Sequence, residues 1–177
     1  GILVHGQARG AASSELPSGP WSLLDPGRLE LRSDAVLVVD EAGNRIYGKR
    51  SREVRPIASI TKLMTAMAVL DAGVDLDAPI TIRAGDRDLL RHSRSRMQVD
   101  RATLPRREML LIALMSSENR AAAALARTTF QGGTPAFVAA MNRKAAAIGM
   151  THTRFADSTG LDVANRSTPE DLVRLVR

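Results

Sequence analysis

The sequence predicts an α/β fold of the α+β type, in which a helical part packs against an antiparallel sheet. A valine-rich stretch at 35–40 and a second stretch at 45–49 flank the turn Glu41-Ala-Gly-Asn44, which is the pattern of a β-hairpin. Five later segments carry apolar residues at helical spacing. Because a lone hairpin is only marginally stable in water, we expect the sheet to be incomplete in this chain, with further strands after Arg177.

Residues 1–30 are rich in Gly, Ser and Pro and show no sustained periodicity. We expect a flexible N-terminal arm there, with Trp21, Leu23 and Leu24 as its possible anchor. We expect residues 31–177 to form one folded domain that is partial, because its C-terminal strands are missing.

The central helix is predicted to begin near Ser59 and to end at Gly73. Apolar residues cover most of its circumference, which predicts a helix enclosed by other elements; they are Ile60, Leu63, Met64, Met67, Ala68 and Leu70. Lys62 is the only basic residue of this helix. Because Ser59 and Lys62 are three residues apart, we expect them to share one face at the helix start.

Four further helices are predicted after the central one. They are 103–116 with Thr103 as N-cap, 118–128 with close packing at its alanine run, 134–148 ended by Gly149, and 168–177 begun by Thr168. The segments between them are predicted as a short extended piece at 80–83, an irregular region at 84–102 and a loop at 150–167 with a turn at 157–160.

The composition excludes several classes of site. The chain has no cysteine, which rules out disulfides, thiol catalysis and thiolate metal ligands. His5, His92 and His152 lie far apart without ligand spacing, so we expect no metal and no cofactor. The formal net charge is +6 and favours anionic partners, but an aromatic content of 3% leaves few platforms for stacking bases, so we expect no nucleic-acid partner.

Much of the positive charge lies in one region between residues 83 and 107. Its arginines are Arg83, Arg87, Arg91, Arg94, Arg96, Arg101, Arg106 and Arg107. One interpretation is a solvated surface in which aspartates alternate with the arginines. The other is a rim that attracts an anionic substrate. The sequence leaves both open.

The Ser59 and Lys62 pair has the residue types of a nucleophile and its base. A serine hydroxyl is a weak nucleophile until a neighbour takes its proton. Lysine can do so if burial and nearby positive charge lower its pKa from about 10.4 toward 7 or 8, whereas arginine does not lose its proton. The chain contains only three lysines, so one on an apolar helix is informative, although the Ser-x-x-Lys spacing alone arises easily by chance. The helix start would also favour an oxyanion formed by attack at Ser59.

Two other serine-containing segments are candidates. In Ser117-Glu-Asn119, either Ser116 or Ser117 is simply a helix N-cap, or Ser117 relays a proton and Asn119 holds a substrate amide. The segment 158–160, Ser-Thr-Gly, lacks a cation, and we predict that it is a turn.

Together these segments resemble a known family. Ser59-Ile-Thr-Lys62 followed by Ser117-Glu-Asn119 looks like the first two of three motifs shared by penicillin-binding proteins and serine β-lactamases. Longer stretches agree, at 58–68, 115–122, 141–142, 149–155 and 159–161. Over residues 33–177 the chain resembles the low-molecular-mass penicillin-binding proteins, and among them most the D-alanyl-D-alanine endopeptidases of the penicillin-binding protein 7 type.

The resemblance implies a β-lactamase/penicillin-binding-protein transpeptidase-like fold and a serine D,D-peptidase activity. Carried over, Ser59 is the acylated nucleophile, Lys62 its general base, Ser117 the proton relay and Asn119 a substrate-amide contact. The family cleaves peptide bonds next to D-alanine in peptidoglycan, is acylated by β-lactam antibiotics and works outside the bacterial cytoplasmic membrane, which implies export to the periplasm. The alternatives are a D-alanyl-D-alanine carboxypeptidase, a class A-like β-lactamase, whose Glu-x-x-Leu-Asn run is absent, and a non-catalytic cell-wall-binding module.

The chain departs from the family pattern in one respect. The third motif, Lys-Thr-Gly, is absent, since Lys49 precedes Arg, Lys62 precedes Leu and Lys144 precedes Ala. In the family this motif forms the opposite wall of the cleft and lends a backbone N–H to the oxyanion, and losing one such donor costs about 3 kcal/mol. We therefore expect a C-terminal remainder that carries it, and expect this chain alone to be inactive.

Overall fold

The computed structural model describes residues 14–177. The first 13 residues of the predicted arm, and His5 with them, lie outside the described residues. The chain divides into two compact units, Gly1–Glu53 and Val54–Arg177. No helix between residues 14 and 177 is long and apolar enough to cross a membrane.

The first unit contains a three-stranded antiparallel sheet. Its strands are β1 (Ser14–Glu15), β2 (Val36–Val39) and β3 (Arg45–Lys49), in the order β1-β3-β2. The predicted hairpin is confirmed, because β2 pairs with β3. Asp40 closes its turn, since Oδ1 accepts the backbone N–H of Asn44 at 2.7 Å.

The predicted anchor of the N-terminal arm is made by one residue of the three. Trp21 Nε1 donates to Asp40 Oδ2 at 2.7 Å. Leu23 and Leu24 are exposed instead. The indole N–H therefore holds this segment on the hairpin turn, whereas Leu23 is almost fully exposed and Leu24 is about half exposed.

The second unit contains five α-helices and two small antiparallel sheets. The helices are α1 (Thr61–Asp71), α2 (Arg106–Met115), α3 (Asn119–Thr129), α4 (Gly133–Ala147) and α5 (Pro169–Val176). The strands are β4 (Arg55–Pro56), β5 (Pro79–Thr81), β6 (Thr103–Pro105) and β7 (Arg166–Ser167), with β4 paired to β7 and β5 to β6.

The alanine-rich helix α3 lies at the centre of this unit, with α1, α2 and α4 packed around it. Its buried residues are Ala121, Ala122, Ala124, Leu125, Ala126 and Thr129. The predicted close packing at the alanine run is confirmed. Because small side chains let neighbouring helices approach, a larger residue here would force backbone shifts that typically cost about 1–3 kcal/mol.

One helix start and two helix ends lie close to where the sequence predicts them. Thr168 Oγ1 accepts the backbone N–H of Asp171 at 3.1 Å and begins α5. Gly149 has φ +79° and ends α4, and Gly73 has φ +61° just after α1. These predicted helix ends are therefore confirmed to within a few residues.

The predicted start of α2 is wrong. Thr103 does not cap a helix but lies in β6, opposite Thr81 of β5, and the two hydroxyls are 2.9 Å apart. The helix begins at Arg106, after Pro105. Threonine and proline suit a helix start locally, but the pairing with β5 comes from a segment more than 20 residues away and overrides that preference.

The predicted enclosure of α1 is also wrong on one side. Met64 and Val69 are fully buried, but Ile60, Leu63 and Leu70 are exposed. Thr61, Lys62 and Thr65 take their place in the buried face. The reason is that the loop at 158–159 packs on the polar side of α1, where Thr65 Oγ1 donates to the carbonyl of Ser158 at 2.7 Å.

Candidate active site

Ser59 lies in a single 3₁₀ turn, Ala58–Ile60, directly before α1. Its side chain is exposed. The hydroxyl meets two other side chains: Lys62 Nζ donates to Ser59 Oγ at 3.1 Å, and Ser117 Oγ donates to it at 2.8 Å. The structure thus brings together the serine and lysine on one helix face and a serine that is 58 residues away in the sequence.

Lys62 is buried, with 3% of its surface exposed. Besides Ser59, its Nζ donates to two oxygens: Asn119 Oδ1 at 2.8 Å and the backbone carbonyl of Thr159 at 2.6 Å. Neither of these two oxygens can donate a hydrogen bond. The ammonium group is therefore held on three sides, and one side faces the Ser59 hydroxyl.

Burial lowers the pKa of Lys62 below its ordinary value. The carboxylates of Asp157 and Glu118 act in the opposite direction and raise the pKa. The expectation that nearby positive charge would help is therefore not met, because the charges that act on Lys62 are negative. Desolvation is the larger effect and favours the neutral amine.

Ser117 does not act as a helix cap. The N-cap of α3 is Glu118, whose Oε1 accepts the backbone N–H of Arg120 at 3.1 Å. The interpretation of Ser116 or Ser117 as a simple N-cap is therefore wrong. The hydroxyl of Ser117 is turned toward Ser59 instead.

The backbone is strained at Ser117 and at Ala58, the residue before Ser59. Ala58, just before Ser59, has φ +45°, and Ser117 has φ +53°. Left-handed conformations of residues other than glycine cost about 1–3 kcal/mol each and cluster at functional sites. Both strained residues aim a serine hydroxyl at the same point.

Asn119, the first residue of α3, is fixed from both ends of its amide. Its Oδ1 accepts from Lys62, and its Nδ2 donates to Ser93 Oγ at 3.0 Å. Ser93 is in turn held by Asp88, whose Oδ2 accepts the Ser93 backbone N–H at 2.8 Å. Sequence reasoning missed Ser93, which lies in the irregular region and has no motif around it.

The turn at 157–160 contributes a group that sequence reasoning also missed. It is a turn, as predicted, but the carbonyl of Thr159 is a direct partner of Lys62. Asp157 shapes the turn, since its Oδ1 accepts the backbone N–H groups of Thr159 at 3.0 Å and Gly160 at 2.7 Å. The cation that this segment lacks comes from α1.

Gly160 allows the turn to approach the Ser59 segment. It has φ +86°, and a Cβ at this position would collide with the carbonyl oxygen of Ala58. Only glycine fits there. Beside this contact a small cavity of about 140 Å³ borders Ser59, with Arg91 and Asp162 in its lining.

Within residues 14–177, no group of three or more His, Asp or Glu side chains is placed to hold a metal ion. A hydroxyl, a buried amine, a second hydroxyl and a carboxamide converge on one point, which is the arrangement of an activated serine nucleophile.

Known proteins are similar to this chain in sequence and in fold. A D-alanyl-D-alanine endopeptidase of Pseudomonas aeruginosa is 49% identical over 152 residues, covering 85% of this chain and 48% of the relative. A D-alanyl-D-alanine endopeptidase of Escherichia coli is 47% identical over 148 residues, covering 83% of this chain and 47% of the relative. The crystal structure of a Listeria monocytogenes penicillin-binding protein in its ampicillin-bound form matches with a TM-score of 0.70 and 30% identity, covering 84% of this chain and 61% of that one.

The chain spans about half the length of the two curated relatives. Matches to solved structures establish that it has the fold of the D,D-peptidases and transpeptidases, and the described residues form three small sheets. The sequence model of one family covers residues 23–177, which is most of the chain. The chain therefore belongs to the D-alanyl-D-alanine carboxypeptidase family.

Proposed function

We propose that this chain carries the nucleophile side of a serine D,D-peptidase active site, which cleaves peptidoglycan cross-links next to D-alanine through an acyl-enzyme on Ser59. The observation that carries the proposal is the placement of Lys62, buried and 3.1 Å from the Ser59 hydroxyl. The names of the two curated relatives support the endopeptidase reaction. We further propose that the protein works in the bacterial periplasm, where its substrate is found.

The hydrogen bonds of Lys62 define how it would act as a base. A neutral amine has two N–H groups and one lone pair. The carbonyl oxygens of Asn119 and Thr159 only accept, so they take the two N–H groups. The lone pair then faces Ser59, whose proton it receives as Oγ attacks the substrate carbonyl.

Ser117 would move the proton to the leaving group. As the tetrahedral intermediate collapses, the carbon–nitrogen bond breaks and the departing amine needs a proton. Ser117 Oγ is 2.8 Å from Ser59 Oγ, so its hydroxyl proton can pass to the amine and be replaced from Lys62. Water then releases the acyl group from Ser59 by the reverse sequence. Asn119 Nδ2 keeps one N–H beyond its bond to Ser93, which is free to bind a substrate amide carbonyl.

Two alternatives within the enzyme class are less well supported. A class A-like β-lactamase needs a glutamate to activate the deacylating water, and the carboxylate of Glu118, which acts on Lys62, accepts the backbone N–H of Arg120 as a helix cap. Two curated relatives named carboxypeptidase are 32% identical, whereas three named endopeptidase are 34%, 47% and 49% identical. Both comparisons favour the endopeptidase.

The nucleophile is tested by mapping a penicillin adduct. The Lys-Thr-Gly motif is absent from these 177 residues, so the protein to use is a chimera that continues the chain with the part of the Pseudomonas aeruginosa relative that follows the matched region. Incubation with labelled penicillin, digestion and mass spectrometry should place the adduct on Ser59. Ser59→Ala should abolish labelling, while Ser22→Ala, on the exposed N-terminal segment, should not change it. An adduct on another residue contradicts the proposal.

The reaction is tested on purified muropeptides. The chimera should convert cross-linked dimers to monomers, which mass spectrometry of the digest detects. Release of terminal D-alanine from monomers with intact cross-links would identify a carboxypeptidase instead. Rapid turnover of penicillin without a lasting adduct would identify a β-lactamase.

A further inference from the structure

The arginines between residues 83 and 127 fall into two groups. Most have partners: ion pairs join Arg83 to Asp100, Arg107 to Asp77 and Arg127 to Asp86, while Arg91, Arg106 and Arg120 donate to backbone carbonyls. The guanidinium groups of Arg87, Arg94, Arg96 and Arg101 make no hydrogen bond or ion pair with the described part of the chain. Three of these four line a single groove.

This groove has a volume of about 1010 Å³. Arg94, Arg96 and Arg101 line it together with Ser116 and Glu118. The last two are the residues on either side of Ser117, whose hydroxyl contacts Ser59. The groove therefore lies beside the segment that carries Ser117.

The groove has firm walls and an aliphatic floor. Met97, Leu104 and Ile112 line it and also belong to or pack against the hydrophobic core. Arg120 Nη1 donates to the carbonyl of Met97 at 2.6 Å, which ties the loop wall to α3. On the other side, the carbonyl of Ala102 accepts from the backbone N–H of Ile82 at 2.9 Å. The surface that a ligand would contact is therefore held in place by hydrogen bonds within the protein.

The charged and aliphatic side chains that line the groove indicate which kind of ligand it could bind. The groove is lined by three arginines and by one acidic residue, Glu118, whose carboxylate is engaged as the cap of α3. Guanidinium groups bind carboxylates through paired N–H donors. The aliphatic floor suits the side chains of a peptide, and none of the described residues that line the groove is an aromatic on which a nucleic-acid base could stack.

We propose that this groove binds a peptide strand that carries two or more carboxylates and guides it toward Ser59. Its role in catalysis rests on the function proposed above, while binding of the peptide does not. The arginines would supply affinity and association rate through charge, and the floor would hold the extended backbone in place.

Binding is tested with the 177-residue chain and a fluorescently labelled hexapeptide that contains three glutamates, alongside the same peptide with three glutamines. Fluorescence anisotropy should show at least about tenfold tighter binding of the acidic peptide, with a difference that shrinks as salt is raised. Equal binding of the two peptides would overturn the proposal, and this comparison needs no variant that has to fold.

The location is tested by two triple variants with the same change in net charge. Arg94→Gln, Arg96→Gln and Arg101→Gln together should weaken binding of the acidic peptide by at least about tenfold. Arg28→Gln, Arg32→Gln and Arg143→Gln, all at exposed positions elsewhere, should change it by less than about twofold. Equal losses in both variants would show a general charge effect and overturn the site.

The ligand class is tested with a single-stranded oligonucleotide. If the chain binds it more tightly than the acidic peptide, the proposal is overturned, since the groove would then bind polyanions in general.

One further variant separates this proposal from the proposed function. Ser59→Ala should bind the acidic peptide with the affinity of the unaltered chain, because the groove lies outside the nucleophile. Failure of penicillin to label Ser59 would contradict the peptidase mechanism and leave the peptide-binding result standing. Loss of peptide binding in Ser59→Ala would overturn the groove as a separate site.

Discussion

Among the three lysines of the chain, Lys62 is set apart by its surroundings. Lys49 donates to the carbonyls of Leu31 and Ser33 at an exposed position, and Lys144 forms an ion pair with Asp71 at 2.7 Å. Lys62 is instead almost fully buried, and this burial lowers its pKa and favours the neutral amine.

Replacing Lys62 by arginine should therefore abolish acylation while preserving the positive charge. Arginine does not lose its proton, so it cannot act as the base, and removing a general base typically costs about a hundredfold or more in rate. The measurement is the rate of penicillin labelling of the chimera. Lys144→Arg, which keeps its ion pair with Asp71, is the matched control and should label at the unaltered rate.

The pH dependence of labelling has a defined direction. The pKa of Lys62 is lowered from its ordinary value of 10.5, and only the neutral amine is a base. The labelling rate should thus rise with pH and level off above a pKa that lies below 10.5. Labelling that is flat with pH, or that falls as Lys62 loses its proton, would count against Lys62 as the base.

Ser93 is expected to act as a positioning residue for Asn119. Its hydroxyl accepts from Asn119 Nδ2, so the Oδ1 atom must face Lys62. In Ser93→Ala the amide can turn over and present N–H groups to the amine, which should slow labelling by about tenfold, the equivalent of one hydrogen bond of about 1.4 kcal/mol. Ser93→Thr, which keeps the hydroxyl, should restore the rate. A loss of stability without a change in labelling at saturating penicillin would indicate a structural role only.

At the scale of the element, the turn at 157–160 packs between two helices and also contacts a residue of the candidate site. Asp157 holds the turn, Thr65 and Ser158 fasten it between α1 and α3, and the Thr159 carbonyl reaches Lys62. The turn was predictable from its Asp-Ser-Thr-Gly sequence. Its partner was not, because every residue has a carbonyl and the sequence does not show which one meets a buried amine.

Gly160→Ala tests this close contact. The added methyl would meet the Ala58 carbonyl and force a left-handed residue, so the free energy of unfolding should fall by at least about 3 kcal/mol, with slower labelling of Ser59. Gly73→Ala is the matched control, because Gly73 has φ +61° but no atom within 4 Å of the new methyl. It should lose only about 1–2 kcal/mol. Denaturant unfolding measures both, and equal losses would mean that the contact with Ala58 contributes nothing.

The helices were predictable because their apolar spacing and caps are local features. The start of α2 was not, since it depends on the pairing of Thr103 with Thr81 across the chain. The exposed side of α1 shows a similar limit. Apolar periodicity marks which residues can be buried, but it was the loop at 158–159 that brought Lys62 and Thr65 into the interior.

At the scale of the whole molecule, the four site residues named from the sequence belong to the second unit, Val54–Arg177. Ser59 and Lys62 were predictable from their spacing and from the rarity of lysine, and Ser117 and Asn119 from their resemblance to a known motif. What no motif reveals is the support around them, namely Ser93, Asp88 and the Thr159 carbonyl. These groups come from loops that the tertiary fold brings together.

The last prediction concerns the donor that these residues do not provide. In the proposed reaction Ser59, Lys62 and Ser117 supply the nucleophile and the proton path. In the family that the sequence resembles, the Lys-Thr-Gly motif lends a backbone N–H to the oxyanion, and this motif is absent from the 177 residues. Loss of one such donor costs about 3 kcal/mol, so the chain alone should label with penicillin at least about a hundredfold more slowly than the chimera. Quantified mass spectrometry of the Ser59 peptide over time measures both rates. Equal rates would mean that the described unit already contains a complete oxyanion site.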